Sequence, residues 1–226
     1  MVTSLTVPVA GPVPMRSQAG FTLVEMLLSM LVGLGLMTAA VMVTRQVTQA
    51  ANPLFDGAIA QEEGQFAIDW VTAALRSAGA NPYGLTVSAC PSAGTVFAPI
   101  AIDPNGTGLA DNVRIQADIN PPNGVLGGLA GACTERNEDV TIAHDVANQT
   151  ITRRDNNLDA AAVDMTDRVI TRLRFTYLDS ARVVTAVPAQ VAYIQVTLTA
   201  GTPSRDEIRG QPTTYVLTSE VRIRLR

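Results

Sequence analysis

The stretch GFTLVEMLLSMLVGLGLMTAAVMVTR, residues 20–45, decides the organisation of this chain of 226 residues. From Met26 to Thr44 it contains no charged residue and no proline. As an α-helix, Phe21 to Thr44 would extend about 36 Å, whereas the hydrocarbon core of a bilayer is about 30 Å thick. The sequence therefore predicts a transmembrane helix over residues 21–44.

Two simple interpretations of this stretch each leave one feature unexplained. The apolar region of a secretory signal peptide has about 7–15 residues and ends at a small-residue cleavage site, but this run is longer and Ala39-Ala40 lies too deep in it. A plain signal anchor explains the length but not Glu25, because an acid in a membrane helix is costly and usually functional. Cleavage after Gly20 would create a free α-amino group at Phe21 as its cationic partner. The simpler alternative is a carboxylate that reaches the membrane interface.

The residues Gly20-Phe21-Thr22-Leu23-Val24-Glu25, followed by an uncharged helix, resemble the class III signal of type IV prepilins and type II secretion pseudopilins. The resemblance implies that prepilin peptidase cuts after Gly20 and that Phe21 becomes the N-methylated terminus. It also implies that Glu25 forms an assembly salt bridge with the N-terminal amine of a neighbouring subunit. Such a pair inside an apolar bundle is favoured over either group unpaired, and it fixes axial register.

The segment before the apolar run has two parts. MVTSLTVPVAGPVP, residues 1–14, has no charge and three prolines, whereas MRSQAG, residues 15–20, is similar to a short prepilin leader. We expect residues 1–20 to be the leader and translation to start at Met15. Arg16 fits a cytoplasmic leader, because cytoplasmic flanks are enriched in Lys and Arg.

Residues 45–79 are predicted to continue the helix as an amphipathic segment. Pro53 is expected to end, kink or restart it. Helical spacing then resumes as far as Ser77-Ala78-Gly79, with Ile59, Phe66, Trp70, Ala73 and Ala74 as the apolar positions. Phe66 and Trp70 are expected to be ordinary core residues. QEEGQFAIDWVTAALRSAGANPYG, residues 61–84, resembles a stretch of PilW-type minor pilins, although Gln65 replaces the usual Arg. The J-type pseudopilin of type II secretion shares a related layout, so this stretch leaves both families open.

Residues 80–226 are predicted to form a β-rich head, because short β-branched runs alternate there with Gly, Pro, Asn and Asp turns. DVANQ, residues 145–149, is predicted to connect the two strands of a hairpin. The last three strands are predicted to form a meander with one face packed on the distal helix. The fold class is therefore α+β, and the resemblance implies a type IV pilin-like fold with a long N-terminal helix packed on an antiparallel sheet. The predicted strands are 85–88, 96–102, 112–117, 139–144, 150–153, 169–178, 191–199 and 214–224.

The two cysteines, Cys90 and Cys133, are predicted to form a disulfide if the head is exported. The loop that they close has about 43 residues, for which the chain-entropy model gives about 4 kcal/mol of stabilisation. Two buried free thiols are the alternative.

The loop-rich region 103–139 contains weak calcium candidates, namely Asp118, Asn120, Asn123 and Glu138. The match to a calcium loop is poor, because the twelfth position counted from Asp103 is Arg114 and because Pro121-Pro122 interrupts the second candidate loop. We expect turn chemistry here and no cofactor.

No enzyme motif is present: the sequence has no Gly-x-Ser-x-Gly, phosphate loop, HExxH or CxxC, and its lone His144 lies in a predicted strand. The net charge of −4 argues against a nucleic-acid footprint, which usually needs a basic patch. Arg222, Arg224 and Arg226 are predicted to form a solvated face in preference to an anion site.

The resemblance implies a non-catalytic minor type IV pilin that helps initiate or cap pilus assembly. Its implied partners are other minor and major pilins, prepilin peptidase and the inner-membrane assembly platform. Its implied location is the inner membrane, in a single pass with a periplasmic head, and then the pilus or cell surface. The alternatives are a type II secretion minor pseudopilin and a signal-anchored periplasmic binding domain.

Overall fold

The structure, a computed structural model, describes residues 21–88, 90, 95–128, 133–201 and 214–223. The chain divides into two compact units between Ala50 and Ala51. The predicted leader, residues 1–20, and the arginines Arg224 and Arg226 lie outside the described residues. The domain boundaries inferred from the sequence remain predictions.

One long helix, α1 (Leu23–Ser77), has 55 residues. The sequence predicts that Pro53 ends, kinks or restarts the helix. The backbone is helical through Pro53, so the helix neither ends nor restarts there. Proline removes one backbone hydrogen bond, and α1 continues without that bond. In the first unit, the described side chains of α1 are all exposed.

In the second unit, α1 presents a buried face to the β head. Ala60, Ala67, Val71 and Leu75 are fully buried, and they belong to the same apolar core as residues of the sheets. Their spacing of seven, four and four residues is that of one helix face. The face predicted from the sequence is wrong at Ile59 and Phe66, which are 50% and 49% exposed.

Gly64 lies where this helix face meets the sheet. A Cβ atom added to Gly64 would be 3.0 Å from Cβ of Ala200 and 3.2 Å from Cδ1 of Leu217. Only a residue without a side chain fits this approach without a shift of its neighbours, so the glycine sets the distance between helix and sheet.

The described residues after α1 form three antiparallel sheets. They have strand orders β1-β2, β10-β9-β8 and β3-β4-β5-β6-β7. A short 3₁₀ helix, Pro188–Gln190, precedes β9. The strands are β1 (Val87–Ser88), β2 (Thr95–Val96), β3 (Ile100–Ile102), β4 (Asn112–Gln116), β5 (Asp139–Asp145), β6 (Thr150–Asp155), β7 (Val163–Asp164), β8 (Ile170–Leu178), β9 (Tyr193–Gly201) and β10 (Thr214–Arg222).

The predicted meander is confirmed by the sheet β10-β9-β8, but its first strand departs from simple alternation. The register between β8 and β9 shifts between Ile170 and Arg172. Val169 and Ile170 are both buried and Thr171 is exposed, whereas simple alternation along a strand would place Thr171 on the same face as Val169. A β-bulge inserts one extra residue and so reverses the faces on one side of it.

The five-stranded sheet was predicted only in part. The hairpin between β5 and β6 is confirmed, and the carboxylate of Asp145 accepts hydrogen bonds from the backbone N–H groups of Ala147 (2.9 Å) and Asn148 (3.0 Å). The predicted strand 96–102 is wrong as one element: β2 and β3 are separate and belong to different sheets, with Pro99 between them. Proline has no N–H to donate to a ladder, so it interrupts the pairing there.

The fold class is therefore α+β, as predicted. It is pilin-like in having a long N-terminal helix with an apolar first half, followed by antiparallel sheets.

Candidate functional site

The N-terminal end of α1 is closed by Thr22. The backbone N–H of Glu25 donates to the Thr22 hydroxyl at 3.3 Å and to the Thr22 carbonyl at 3.0 Å. Thr at the cap position and Glu three residues later form the sequence pattern of a capping box. An acid in the first turn also interacts favourably with the positive end of the helix dipole. The cap therefore uses the Thr22 side chain and the Glu25 backbone, and the Glu25 carboxylate contributes to it only through its charge.

The other polar side chains in the apolar half of α1 are satisfied within the helix. The hydroxyls of Ser29, Thr38 and Thr44 donate to the carbonyls four residues earlier, at 2.7, 2.8 and 2.9 Å. Glu25 is the one ionisable residue between Phe21 and Thr44. Among the residues that the structure describes, none donates a hydrogen bond to its carboxylate, which leaves that group able to bind a cation from another chain.

The apolar half of α1 is long enough to cross a bilayer. Leu23–Gln49, 27 residues, has the length and composition of one membrane span, and it is the one such helix among the described residues. At 1.5 Å per residue the span is about 40 Å long, more than the roughly 30 Å of hydrocarbon. It extends five residues beyond the predicted end at Thr44, because Arg45 is followed by Val47 and other uncharged residues.

The predicted processing residues lie at the edge of the described chain. Phe21 is 75% exposed, and Gly20 lies outside the described residues. Cleavage after Gly20, methylation of Phe21 and pairing of Glu25 with an amine remain predictions.

A disulfide joins Cys90 and Cys133, as the sequence analysis predicted. Their Cα atoms are 5.7 Å apart and the two residues are separated by 43 positions. The bond ties the segment after β1 to the segment before β5.

The calcium candidates are already engaged in hydrogen bonds with the backbone. Asp118 accepts from the N–H groups of Asn123 (2.9 Å) and Gly124 (2.7 Å). Glu138 accepts from three N–H groups, those of Ile119 (3.0 Å), Asn120 (2.9 Å) and Gly127 (2.7 Å). Within the described part of the chain, no three His, Cys, Asp or Glu residues come together to hold a metal ion. Asp118 and Glu138 therefore hold the backbone of this loop in place.

A buried polar cluster around Asp139 was missed from the sequence. This carboxylate is fully buried and accepts from Arg114 Nε (2.6 Å), Gln116 Nε2 (2.8 Å) and Asn156 Nδ2 (2.6 Å), and it also pairs with Arg114 Nη2. The hydrogen bonds from Arg114 to Asp139 raise the pKa of the Arg114 guanidinium. Since Asp139 lies in β5 and its partners come from β4 and the turn after β6, no local pattern could have revealed them.

Glu135 lies near the Glu138 carboxylate. Its Oε1 accepts from Asn123 Nδ2 at 2.7 Å, but its buried Oε2 has no hydrogen-bond partner among the residues that the structure describes. Burial, and then the charge of Glu138, raise the pKa of Glu135.

The lone histidine has a structural contact. A ring nitrogen of His144, Nε2, lies 2.8 Å from the carbonyl of Ile170, which links β5 to β8. Arg222 is exposed at the end of β10.

Comparison with protein-family models matched one family, the prokaryotic N-terminal methylation motif, over residues 15–41. Comparison with curated proteins and with solved structures found no match. The matched segment starts at Met15 and includes Gly20, Phe21 and Glu25. The chain thus carries the class III signal of type IV prepilin-like proteins, a group that includes pilins and pseudopilins.

Proposed function

We propose, from the premise that residues 15–41 are a class III signal, that this chain is a minor type IV pilin that helps initiate or cap pilus assembly. The observation that carries the proposal is the methylation motif, with Glu25 as the sole ionisable residue of the apolar segment. The resemblance of residues 61–84 to PilW-type minor pilins supports the minor role. The absence of proline between Phe21 and Thr44 weighs against a major subunit.

The proposed mechanism begins with a single-pass protein of the inner membrane. Prepilin peptidase removes the leader after Gly20, and the new N-terminus at Phe21 is methylated. The apolar half of α1 then leaves the lipid and packs among the helices of other pilins on the assembly platform. There the Glu25 carboxylate binds the N-terminal amine of a neighbour, because both groups are costly when they are left unpaired in an apolar bundle.

The disulfide supports a periplasmic head. Disulfides persist in oxidising compartments such as the bacterial periplasm and are rare in the cytosol. The head is proposed to stay outside the cytoplasm throughout, first at the inner membrane and then on the pilus or cell surface.

The test of this mechanism separates the charge of Glu25 from the helix cap at Thr22. Glu25→Gln keeps a side chain that can complete the capping box but removes the charge, whereas Thr22→Ala weakens the cap and keeps the charge. We expect Glu25→Gln to be inserted and cut like the wild type but to fail in assembly, measured as pilus number in a deletion strain complemented with each variant. Thr22→Ala should restore piliation. If Glu25→Gln restores piliation, the amine pairing is wrong. If Thr22→Ala also fails, the helix cap matters for assembly in its own right.

A minor pseudopilin of type II secretion is the second candidate, because the methylation motif and the layout of residues 61–84 fit it as well. Deletion of the gene separates the two: loss of pili supports the pilin, and loss of protein secretion with pili intact supports the pseudopilin. A signal-anchored periplasmic binding domain predicts instead that Gly20 stays uncut and that Glu25→Ala has no effect.

A further inference from the structure

The face of α1 opposite the core carries an exposed stripe in the second unit. Phe55, Ile59 and Phe66 are 68%, 50% and 49% exposed, although large apolar side chains are usually buried. Glu62 and Asp69 continue the same stripe and are also exposed. The five residues follow one another at intervals of four, three, four and three, which places them along one line of a helix. We call these five residues the acidic seam.

The seam lies in a strongly acidic part of the helix. Between Ala51 and Leu75 the chain has four acids and no Lys, Arg or His. The four acids are Asp56, Glu62, Glu63 and Asp69. Intervals of three and four residues place side chains on the contact seam of a helix pair, and a polar residue within such a seam selects the partner at a cost in stability.

A cavity beside the seam is also lined mainly by acidic residues among its charged groups. It has a volume of about 360 Å³ and lies between α1 and residues 164–168. Three acids line it, Glu63, Asp164 and Asp167, against a single base, Arg168. Phe66 forms its apolar edge, so the cavity extends the seam with a concave acidic site next to an apolar side chain.

We propose that the acidic seam docks a helix of a different subunit, one whose apolar residues are flanked by Lys or Arg. Apolar side chains of that helix would cover Phe55, Ile59 and Phe66. A basic side chain would enter the cavity beside Glu63 and Asp164. The inference rests on the assembly role proposed above and adds to it the chemical class of the neighbour.

Charge argues against the other occupants. A second copy of this chain packed on the seam in parallel and in register would place Glu62 and Asp69 of each helix against those of its mate, and like charges so placed repel. A bilayer surface with anionic lipids would repel the seam for the same reason. A basic helix is attracted at the same positions, so the arrangement favours heterotypic over homotypic contact.

The test uses the full chain in lipid nanodiscs and two fluorescent peptides, with binding measured by anisotropy. One peptide is an amphipathic helix with Leu at heptad positions and Arg beside them, and the other has Glu in place of Arg. We expect the Arg peptide to bind at least about tenfold more tightly than the Glu peptide, and its affinity to fall as salt is raised.

Matched variants separate the seam from general charge attraction. Glu62→Gln should lower the affinity for the Arg peptide about threefold. Glu220→Gln, the same change at an exposed position of β10, should leave that affinity unchanged. Phe66→Ser keeps every charge and should weaken binding about tenfold through the lost apolar contact. Equal binding of the two peptides, equal effects of Glu62→Gln and Glu220→Gln, or no effect of Phe66→Ser would each overturn the proposal.

The peptide assay needs neither cleavage at Gly20 nor a filament. A chain that is cut and methylated but binds neither peptide refutes the docking inference and leaves the pilin function standing. A chain that stays uncut refutes the pilin function, whatever the peptides do.

Discussion

Replacement of Gly64 by alanine tests how closely α1 approaches the sheet. A new Cβ would be 3.0 Å from Cβ of Ala200, 3.2 Å from Cδ1 of Leu217 and 3.6 Å from Cδ2 of Leu198. Ala200 is fully buried in the central strand β9 and pairs with Ile170 on one side and Tyr215 on the other. Its Cβ cannot rotate away, so either the helix or the strand has to move.

Two opposing effects decide the sign of the change. At a helix position with free space around it, replacement of glycine by alanine stabilises the folded protein by about 1 kcal/mol, because alanine loses less backbone entropy on folding. Overpacking of a well-filled core costs about 1–3 kcal/mol. We therefore expect Gly64→Ala to lower the free energy of unfolding by about 1 kcal/mol, which lowers the Tm by about 2–4 °C.

The assay is thermal and denaturant unfolding of the full chain in detergent, followed by the fluorescence of Trp70, the single tryptophan, which lies on the packed half of α1. The double variant Gly64→Ala/Ala200→Gly removes the 3.0 Å contact. Its loss of stability should therefore be smaller than the sum of the losses in the two single variants. Gly33→Ala is the control, because no atom lies within 4 Å of the Cβ it adds. If Gly64→Ala is as stable as the wild type or more stable, the close approach is wrong.

Three further changes have a clear direction. Cys90→Ser/Cys133→Ser should lower the free energy of unfolding by about 4 kcal/mol, since the bond closes a loop of 43 residues, and a reductant should shift the wild-type denaturation midpoint toward that of the variant. Asp139→Asn should lower the free energy of unfolding by about 3 kcal/mol, because it leaves the Arg114 guanidinium, which is 29% exposed, without its buried counter-charge. A loss below about 1 kcal/mol in denaturant titration would contradict this. Glu135→Gln should raise stability at neutral pH, since burial and a neighbouring carboxylate raise the pKa of Glu135 and disfavour its charged form. That gain should vanish as the pH falls through the raised pKa, where Glu135 itself binds a proton, so an equal gain at acidic pH would refute the assignment.

The helix and the last three strands could be predicted because their signals are local. The uncharged run after Glu25 is long enough to fix a helix by itself, and the strands β8 to β10 have nine residues each, long enough to show alternation. The motif Gly20 to Glu25 is also contiguous, which is why the candidate site was found from the sequence.

What the sequence could not provide depends on contacts between distant segments. β7 has two residues, too few for a periodic pattern, and it is held by pairing with β6. The bulge at Ile170 depends on the register with β9. The donors around Asp139 come from two separate parts of the chain, β4 and the turn after β6. The capping role of Thr22 is local and was available in the sequence, as Thr-x-x-Glu before an apolar run.

The mature N-terminus tests the central claim most directly. The full chain is co-expressed with a prepilin peptidase, purified from membranes and analysed by N-terminal mass spectrometry. The account predicts a single new terminus at N-methylated Phe21, with residues up to Gly20 removed. A chain that keeps Gly20, or one cut within the apolar run after Glu25, would contradict it.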